Sequence, residues 1–410
     1  MIDRIKRIPE LRFSNFYNEW QEKKLGDLGK TYTGLSGKTK TDFGFGDSHF
    51  ITYMNVFKNN IAKFEMTEKV KISNNEKQNK VNYGDIFFTT SSEVPQEVGM
   101  TSIWLFKTNN VYLNSFCFGF RITINNVLPI FLARYLRSEN IRKKITILAQ
   151  GSTRFNLSKK EVMKLSINFP EINEQQKIGD FFSKLDRQIE LEEQKLSFLE
   201  EQKKGYMQKI FSQELRFKDE KGNDYPEWDI TTIEKIAKVS KGFTPSTKDI
   251  NLWQNDNKNW LSIAGMSDKY IYEGNKGISS AGEGKHKKVN KDTLIMSFKL
   301  TLGKLAIVKT PIYTNEAICH FEWKTNQLKT EYMYYYLSFI NIKSFGAQAV
   351  KGITLNNDSI NSILIKLPGF LEQNKISNFF TKFDELIEKQ NQKIDGLKKR
   401  KKGFLQKMFV

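Results

Sequence analysis

A chain of 410 residues has room for two to three domains of ordinary size, each with a real apolar core. A formal charge of +19 and a pI near 9.5 point to a polyanionic partner, nucleic acid first, because neutralising phosphates releases counterions. Two cysteines, Cys117 and Cys319, exclude a disulfide framework and a thiolate metal cluster, and a charged N-terminus with no apolar run of spanning length predicts a cytoplasmic chain with no membrane partner.

In chain order, residues 1–14 form a short charged segment that carries Glu10-Leu11-Arg12-Phe13. Residues 15–170 read as a first α+β unit. Short β-rich runs such as Gly84-Asp85-Ile86-Phe87-Phe88-Thr89-Thr90 alternate with Gly, Asn and Ser turns, helical signals cover Pro129 to Leu136, and Leu165 to Phe169 is a strand stopped by Pro170.

Residues 171–213 follow as a long helix. Ile178, Phe182, Leu185, Ile189, Glu192, Leu196, Leu199, Lys203, Tyr206 and Ile210 recur at steps of four and three, the spacing of one helix face. At 1.5 Å per residue this face extends about 48 Å.

Residues 214–369 then begin again. Glu214-Leu215-Arg216-Phe217 and Glu227-Trp228 repeat the opening phrase and its Glu19-Trp20. Tyr313-Thr314-Asn315 answers Tyr112-Leu113-Asn114, Tyr336-Leu337 answers Tyr135-Leu136, and Ile363 to Pro368 answers Leu165 to Pro170. The central parts, about 30 to 130 and 238 to 328, share little beyond strand placement, so the scaffold is duplicated while the working surface differs.

Residues 370–410 close the repeat with Ile376, Phe380, Phe383, Ile387, Gln390, Ile394, Leu397, Lys401, Phe404 and Met408. Both polar breaks fall in register, Glu192 with Gln390 and Lys203 with Lys401, and matched breaks in an apolar seam set register between paired helices. The two helices are therefore expected to pack against each other, antiparallel, as a coiled coil and spacer. The N-terminal segment would complete the second repeat and give a pseudo-twofold object. Ordinary amphipathic helices packed on their own domains are the other reading of the same pattern.

Chemistry-bearing motifs are scarce. Gly282-Glu283-Gly284-Lys285-His286 lacks the glycine and the hydroxyl that a phosphate-wrapping loop needs, with Ser279 and His286 at those positions, and reads as a basic turn. His49, His286 and His320 have no partner at metal-ligand spacing, and the adjacent Cys319-His320 fits core packing. Asp85, Glu93 and Asp292 sit singly in strand or turn contexts, with no evident pair for nuclease metals. No dinucleotide-binding turn and no Asn-Pro-Pro-aromatic tetrapeptide occurs. The chain reads as a binder and not an enzyme.

The paired helix endings, Lys203-Lys204-Gly205-Tyr206-Met207-Gln208-Lys209-Ile210-Phe211 and Lys401-Lys402-Gly403-Phe404-Leu405-Gln406-Lys407-Met408-Phe409, carry a family resemblance. So do Lys241-Gly242-Phe243-Thr244-Pro245-Ser246-Thr247 with Trp253 and Trp260-Leu261 after it, and the runs Asp292 to Ser297 and Gly303 to Ile307. Together they resemble the DNA specificity subunits of type I restriction-modification systems over essentially the whole chain. The first unit departs from the opening motif, with Thr33-Gly34-Leu35-Ser36-Gly37-Lys38 in place of the Thr-Pro-Ser turn.

The resemblance implies an α+β fold in which two target-recognition domains alternate with two long helices. Each domain would read one half of a split, asymmetric double-stranded DNA site. Two methyltransferase subunits would dock on the scaffold and methylate adenine with S-adenosylmethionine, while restriction subunits would carry ATP, Mg and DNA translocation. This chain itself would hold none of those cofactors.

Phosphates select Lys and Arg, and base edges select short polar side chains. The candidate DNA contacts in the first unit are Thr33, Ser36, Lys38, Lys40, Thr89, Thr90, Ser91, Gln150, Ser152 and Arg154. In the second they are Lys241, Thr244, Ser246, Lys248, Ser297, Lys299, Lys351 and Asn356. An adaptor with a duplicated coiled-coil rod and protein-binding ends is the alternative, which accounts for the helices but not for the charge.

Overall fold

Apolar residues at steps of three and four, with no proline inside, produce two helices of 40 and 38 residues, Ile172–Phe211 and Phe370–Lys407. The computed structural model describes residues 7–73, 75–254, 256–299, 301–349 and 352–410. The chain divides into two compact units, with the boundaries inside these helices. One unit contains the residues up to Glu193 together with Gln392–Val410, and the other contains Gln194–Asn391.

In the first unit a four-stranded sheet has the order Gly29–Thr33, Cys117–Ile122, Ile86–Thr89, Thr101–Ile103, all antiparallel. One face meets the helix Pro129–Leu136, whose Phe131, Leu132, Tyr135 and Leu136 are fully buried. In the second unit the first four strands of a five-stranded sheet follow the same order: Ala237–Lys241, Ile318–Trp323, Leu294–Ser297, Leu305–Val308. Tyr332, Met333, Tyr335 and Leu337 of the helix Thr330–Phe339 are buried in its core.

What is added to this common sheet differs. The first unit adds a three-stranded sheet in the order Thr67–Val70, Phe43–Ile51, Val111–Leu113, with a register shift between Phe43 and Ser48. The second adds Tyr270–Ile271 to the common sheet and a two-stranded pair of Trp260–Leu261 with Tyr313–Thr314. Unlike insertions on one framework explain why the central sequences diverge between matching flanks.

The long helices start from the same lock. Gln175, fully buried, donates from Nε2 to the carbonyls of Pro170 (2.7 Å) and Asn126 (2.9 Å) and accepts from the Leu128 N–H (2.8 Å). Gln373 does the same with Pro368 (2.8 Å), Gln327 (3.1 Å) and the Lys329 N–H (2.9 Å). Each amide fixes the direction in which its helix leaves the sheet.

Within each unit the helices pair antiparallel. In the first, Asp186 contacts Lys401 and Glu192 contacts Lys393 (2.6 Å), so one helix ascends as the other descends. Leu185, Ile189 and Leu397 are buried together with Phe404 beside them, and Ile394 is buried at 4% exposure. In the second, Lys203 lies 2.5 Å from Asp384 and the Tyr206 ring packs on Phe379 and Phe383. Leu196, Leu199, Phe383 and Ile387 are half-buried, and Gln390 is buried.

The seam also runs into the domain cores. Ile178 and Phe182 join the first core with Met408 and Phe409, and Ile376 and Phe380 join the second with Ile210 and Phe211. Burial of each such side chain contributes about 1.5–3 kcal/mol. The two readings of the helix pattern thus both hold: the helices pair with each other and their ends pack on the sheet units.

The opening phrase of each repeat docks on a helix end. In the first unit the Leu11 N–H donates to the Lys407 carbonyl (2.8 Å), and Arg12 forks onto Glu174 with two bonds of 2.7 Å. In the second the Leu215 N–H donates to the Lys209 carbonyl (3.0 Å), and Arg216 reaches Glu372 at 3.1 Å, where the Trp228 indole N–H also donates (2.9 Å).

Candidate nucleic-acid interface

Loops at one end of each common sheet gather on a repeated asparagine. Asn114 Oδ1 accepts from the Phe116 N–H (2.8 Å) and its carbonyl from Cys117 (3.0 Å); Asn315 Oδ1 accepts from Ala317 (2.9 Å) and its carbonyl from Ile318 (3.0 Å). Against these turns run Gly34 and Gly242. A Cβ on Gly34 would stand 2.1 Å from the Asn114 carbonyl oxygen, and one on Gly242 would stand 2.0 Å from the Thr314 carbonyl oxygen, so no other residue allows that approach. The Tyr-x-Asn echo in the sequence marked this hub, which sequence reasoning did not single out as such.

In the first unit a small sheet forms from Ala149–Gln150, Phe155–Leu157 and Ser91–Ser92, with Asn156 opposite both Gln150 and Ser91. It brings Ser91, Gln150, Ser152 and Arg154 into one patch. Gln150, Ser152 and Arg154 are exposed, and the Arg154 guanidinium lies 5.8 Å from the centroid of the exposed Phe116 ring. Thr90 Oγ1 donates to the Phe116 carbonyl (2.8 Å), tying the patch to the asparagine turn.

Other first-unit candidates are engaged inside the protein. Thr89 is fully buried and its hydroxyl accepts from the Met100 N–H (3.0 Å), while Ser91 is buried and its carbonyl accepts from the Tyr53 hydroxyl (2.8 Å). Thr33 accepts from Asn79 Nδ2 through its hydroxyl (3.2 Å) and carbonyl (3.1 Å), and the Ser36 backbone is held by Gln78. Lys38, with 6% of its side chain exposed, binds Glu76 at 2.6 Å and the Lys71 carbonyl at 2.6 Å. Its hydrogen bond is the main cause that pulls the Glu76 carboxyl down to about 2. Thr89, Ser91 and Lys38 therefore serve the fold, and Lys40 remains exposed at the start of a short turn.

In the second unit Lys241 and Lys248 are exposed, Thr244 Oγ1 accepts from Asn315 Nδ2 (2.8 Å), and the Ser246 carbonyl accepts from the Trp253 indole (3.1 Å). Lys299 is exposed beside the Phe298 ring, 5.6 Å from its centroid. Ser297 is fully buried and its hydroxyl accepts from the Lys304 N–H (3.0 Å), the same hairpin clasp that Thr89 forms in the first unit. Asn356 caps the helix Asn357–Asn361 by accepting from the Ser359 N–H (2.7 Å). Ser297 is a structural residue, and Lys351 lies outside the described residues.

A cleft of about 230 Å³ was missed. Lys241, Lys287 and Lys288 line it, with the His286 ring stacked on Phe243 at 3.6 Å. The basic run from Lys285 to Lys288 was the available signal. His320 lines the cleft too, with Nε2 on the Thr314 hydroxyl (2.5 Å) and Nδ1 on Ser240 (3.3 Å), and burial pushes its pKa down to about 4. Asp85, single in the sequence, accepts from Tyr32 (2.7 Å), Arg121 (2.7 and 2.8 Å) and the Asn82 N–H (2.8 Å). Among the described residues no group of three or more His, Cys, Asp and Glu is placed to hold a metal, and no helix is long and apolar enough to cross a membrane.

The chain is similar to known proteins over nearly its whole length. The provisionally named MjaX specificity subunit of a type I restriction enzyme from Methanocaldococcus jannaschii is 24% identical over 406 residues, covering 94% of this chain and 92% of that protein. The fold matches the crystal structure of a type I restriction-modification S subunit from M. genitalium, at 15% identity and a TM-score of 0.57, over 98% of this chain and 99% of that one. A structure concerned with complex assembly and conformational transition of the type I R-M system matches with a TM-score of 0.61 at 14% identity, over 95% and 97% of the two chains. The family model for the type I restriction modification DNA specificity domain matches twice, over residues 17–201 and 225–399, once on each repeat. With both repeats matched, the chain belongs to the type I restriction modification DNA specificity domain family.

Proposed function

We propose that this chain is the non-catalytic DNA-recognition subunit of a type I restriction-modification system, acting on DNA together with other subunits of that system. The observation that carries the reading is a common sheet order built twice, with unlike loops hung on the same asparagine turn. Each loop set reads one half of a bipartite, asymmetric site, and the paired helices set the spacing of the halves. Two methyltransferase subunits dock on the duplicated scaffold and act on adenine, and restriction subunits cleave. S-adenosylmethionine, ATP and Mg belong to those partners.

Exchange of residues 15–170 for the first unit of another family member, followed by methylome sequencing with the partner subunits present, tests this. One half-site is expected to change while the other half and the spacing stay. Change in both halves overturns the modular reading. Binding of the complex to duplex DNA that does not weaken with salt favours a protein-binding adaptor instead, since phosphate contact gives a steep negative slope.

A further inference from the structure

A groove of about 420 Å³ opens in the first unit beside the small sheet of Ser91–Ser92 and Phe155–Leu157. Its lining includes the rings of Tyr53, Phe57 and Phe116, the Arg154 side chain, and two acids, Glu93 and Glu97. Tyr53 and Phe57 stack with centroids 6.0 Å apart. Among the described residues Glu93 has no hydrogen-bond or ion-pair partner, and Glu97 takes one bond, from the Ser92 hydroxyl at 3.2 Å.

Two acids without an ion-paired cation are unexpected on a face that the DNA-recognition reading turns toward phosphate. The chain carries a surplus of cations, +19 in all, yet among the described residues none forms an ion pair with Glu93 or Glu97, although Arg154 lines the same groove. A carboxylate can only accept hydrogen bonds. In the major groove the donors it can meet are the N4 amino group of cytosine and the N6 amino group of adenine, while guanine O6, N7 and thymine O4 repel it. Every base pair carries one such amino group, so a carboxylate fixed in space reads on which strand the group lies. Aromatic walls lower the local polarity, which strengthens the matched bond and raises the cost of meeting an acceptor.

We propose that Glu93 and Glu97 are specificity-determining residues that accept from an exocyclic amino group, cytosine N4 or adenine N6, in the half-site read by the first unit. This rests on the DNA-recognition reading above and adds to it the chemistry of one base position. Arg154, held over Phe116, supplies the positive charge that offsets repulsion between the acids and the sugar-phosphate backbone.

The test is methylome sequencing of cells that carry the full complex with wild-type chain, E93Q or E97Q. A glutamine amide both donates and accepts, so the reversed base pair becomes acceptable. Discrimination at one position of one half-site is expected to fall roughly tenfold or more, with the other half unchanged. An unaltered motif in both variants overturns the proposal and leaves DNA recognition standing. So does a change in both halves, or loss of all methylation in E93Q, whose side chain is exposed and outside the core. A wild-type complex that marks no motif overturns the DNA-recognition reading itself, a result in which no glutamate variant takes part.

Discussion

Lys203 and Asp384, on opposite helices, sit 2.5 Å apart, and the matching residues of the other repeat, Lys401 and Asp186, form the same contact in the other unit. The surroundings differ. Asp384 also accepts from Tyr335 (2.5 Å) and Lys269 (3.1 Å), whereas Asp186 pairs with the buried Arg134. One ion pair therefore fixes register in both units, and each unit surrounds it with different groups.

Burial alone would raise the Asp384 carboxyl, but the bonds from Lys203 and Tyr335 and the charges of Lys203 and Lys269 outweigh it and hold the pKa below its ordinary value. A carboxyl with a lowered folded pKa contributes stability above its unfolded value of about 3.9, and that contribution is lost as pH falls through the folded value. Asp384→Asn is expected to cost about 1–2 kcal/mol at pH 7, a figure reduced for partial exposure, and to flatten acid unfolding below about pH 4. Urea unfolding across pH measures both, and wild-type acid sensitivity retained in the variant contradicts the assignment.

Glu174 is fully buried and its cation is Arg12, so Arg12→Ala leaves a buried carboxylate without its partner. The expected loss is about 3 kcal/mol. Arg216→Ala should cost less, because the Trp228 indole still donates to Glu372. Thermal unfolding of the two variants side by side gives the order.

The buried hydroxyls of Thr89 and Ser297 clasp hairpins. Thr89→Val and Ser297→Ala should each lower stability by about 1 kcal/mol while the methylated motif stays the same. A motif altered at one position by either change would return that residue to the recognition surface.

His320 is held neutral by burial, with a pKa of about 4 against an ordinary value near 6.5. The unfolded chain takes up a proton as pH falls past about 6.5 and the folded chain does so only near 4. Stability is thus complete above about 6.5 and declines through that window, by at most about 1.4 kcal/mol per pH unit. His320→Gln should remove this slope, which chemical unfolding at pH 7, 6 and 5 would record.

Much of the scaffold was legible because helix seams and strand ends obey local periodicity. Ile178, Phe182, Ile376 and Phe380 are buried as their spacing predicts, and Lys203 and Lys401 stand out as polar breaks. Their partners were not legible, since Asp186 and Asp384 lie on the other helix, far away in the chain. The recognition surface was harder to read for the same reason. Lys38 has the composition of a phosphate contact, but Glu76 neutralises it through a tertiary contact that spacing does not encode. Thr89, Ser91 and Ser297 look like ligand-facing hydroxyls at strand ends until the hairpins fold over them. Glu93 read as a lone acid, and only the fold places Glu97 beside the same groove.

Phe409 packs against Trp20, Phe131, Tyr135 and Phe182, and the Val410 carbonyl accepts from the Tyr135 hydroxyl. The unit built from residues up to Glu193 is therefore completed by residues 392–410, far along the sequence. While the ribosome is still making residues 392–410, the unit of residues 194–391 has all its pieces, but its elder sibling holds an open aromatic pocket. Removal of residues 392–410 would leave that pocket unfilled, with sticky rings exposed to chaperones and proteases.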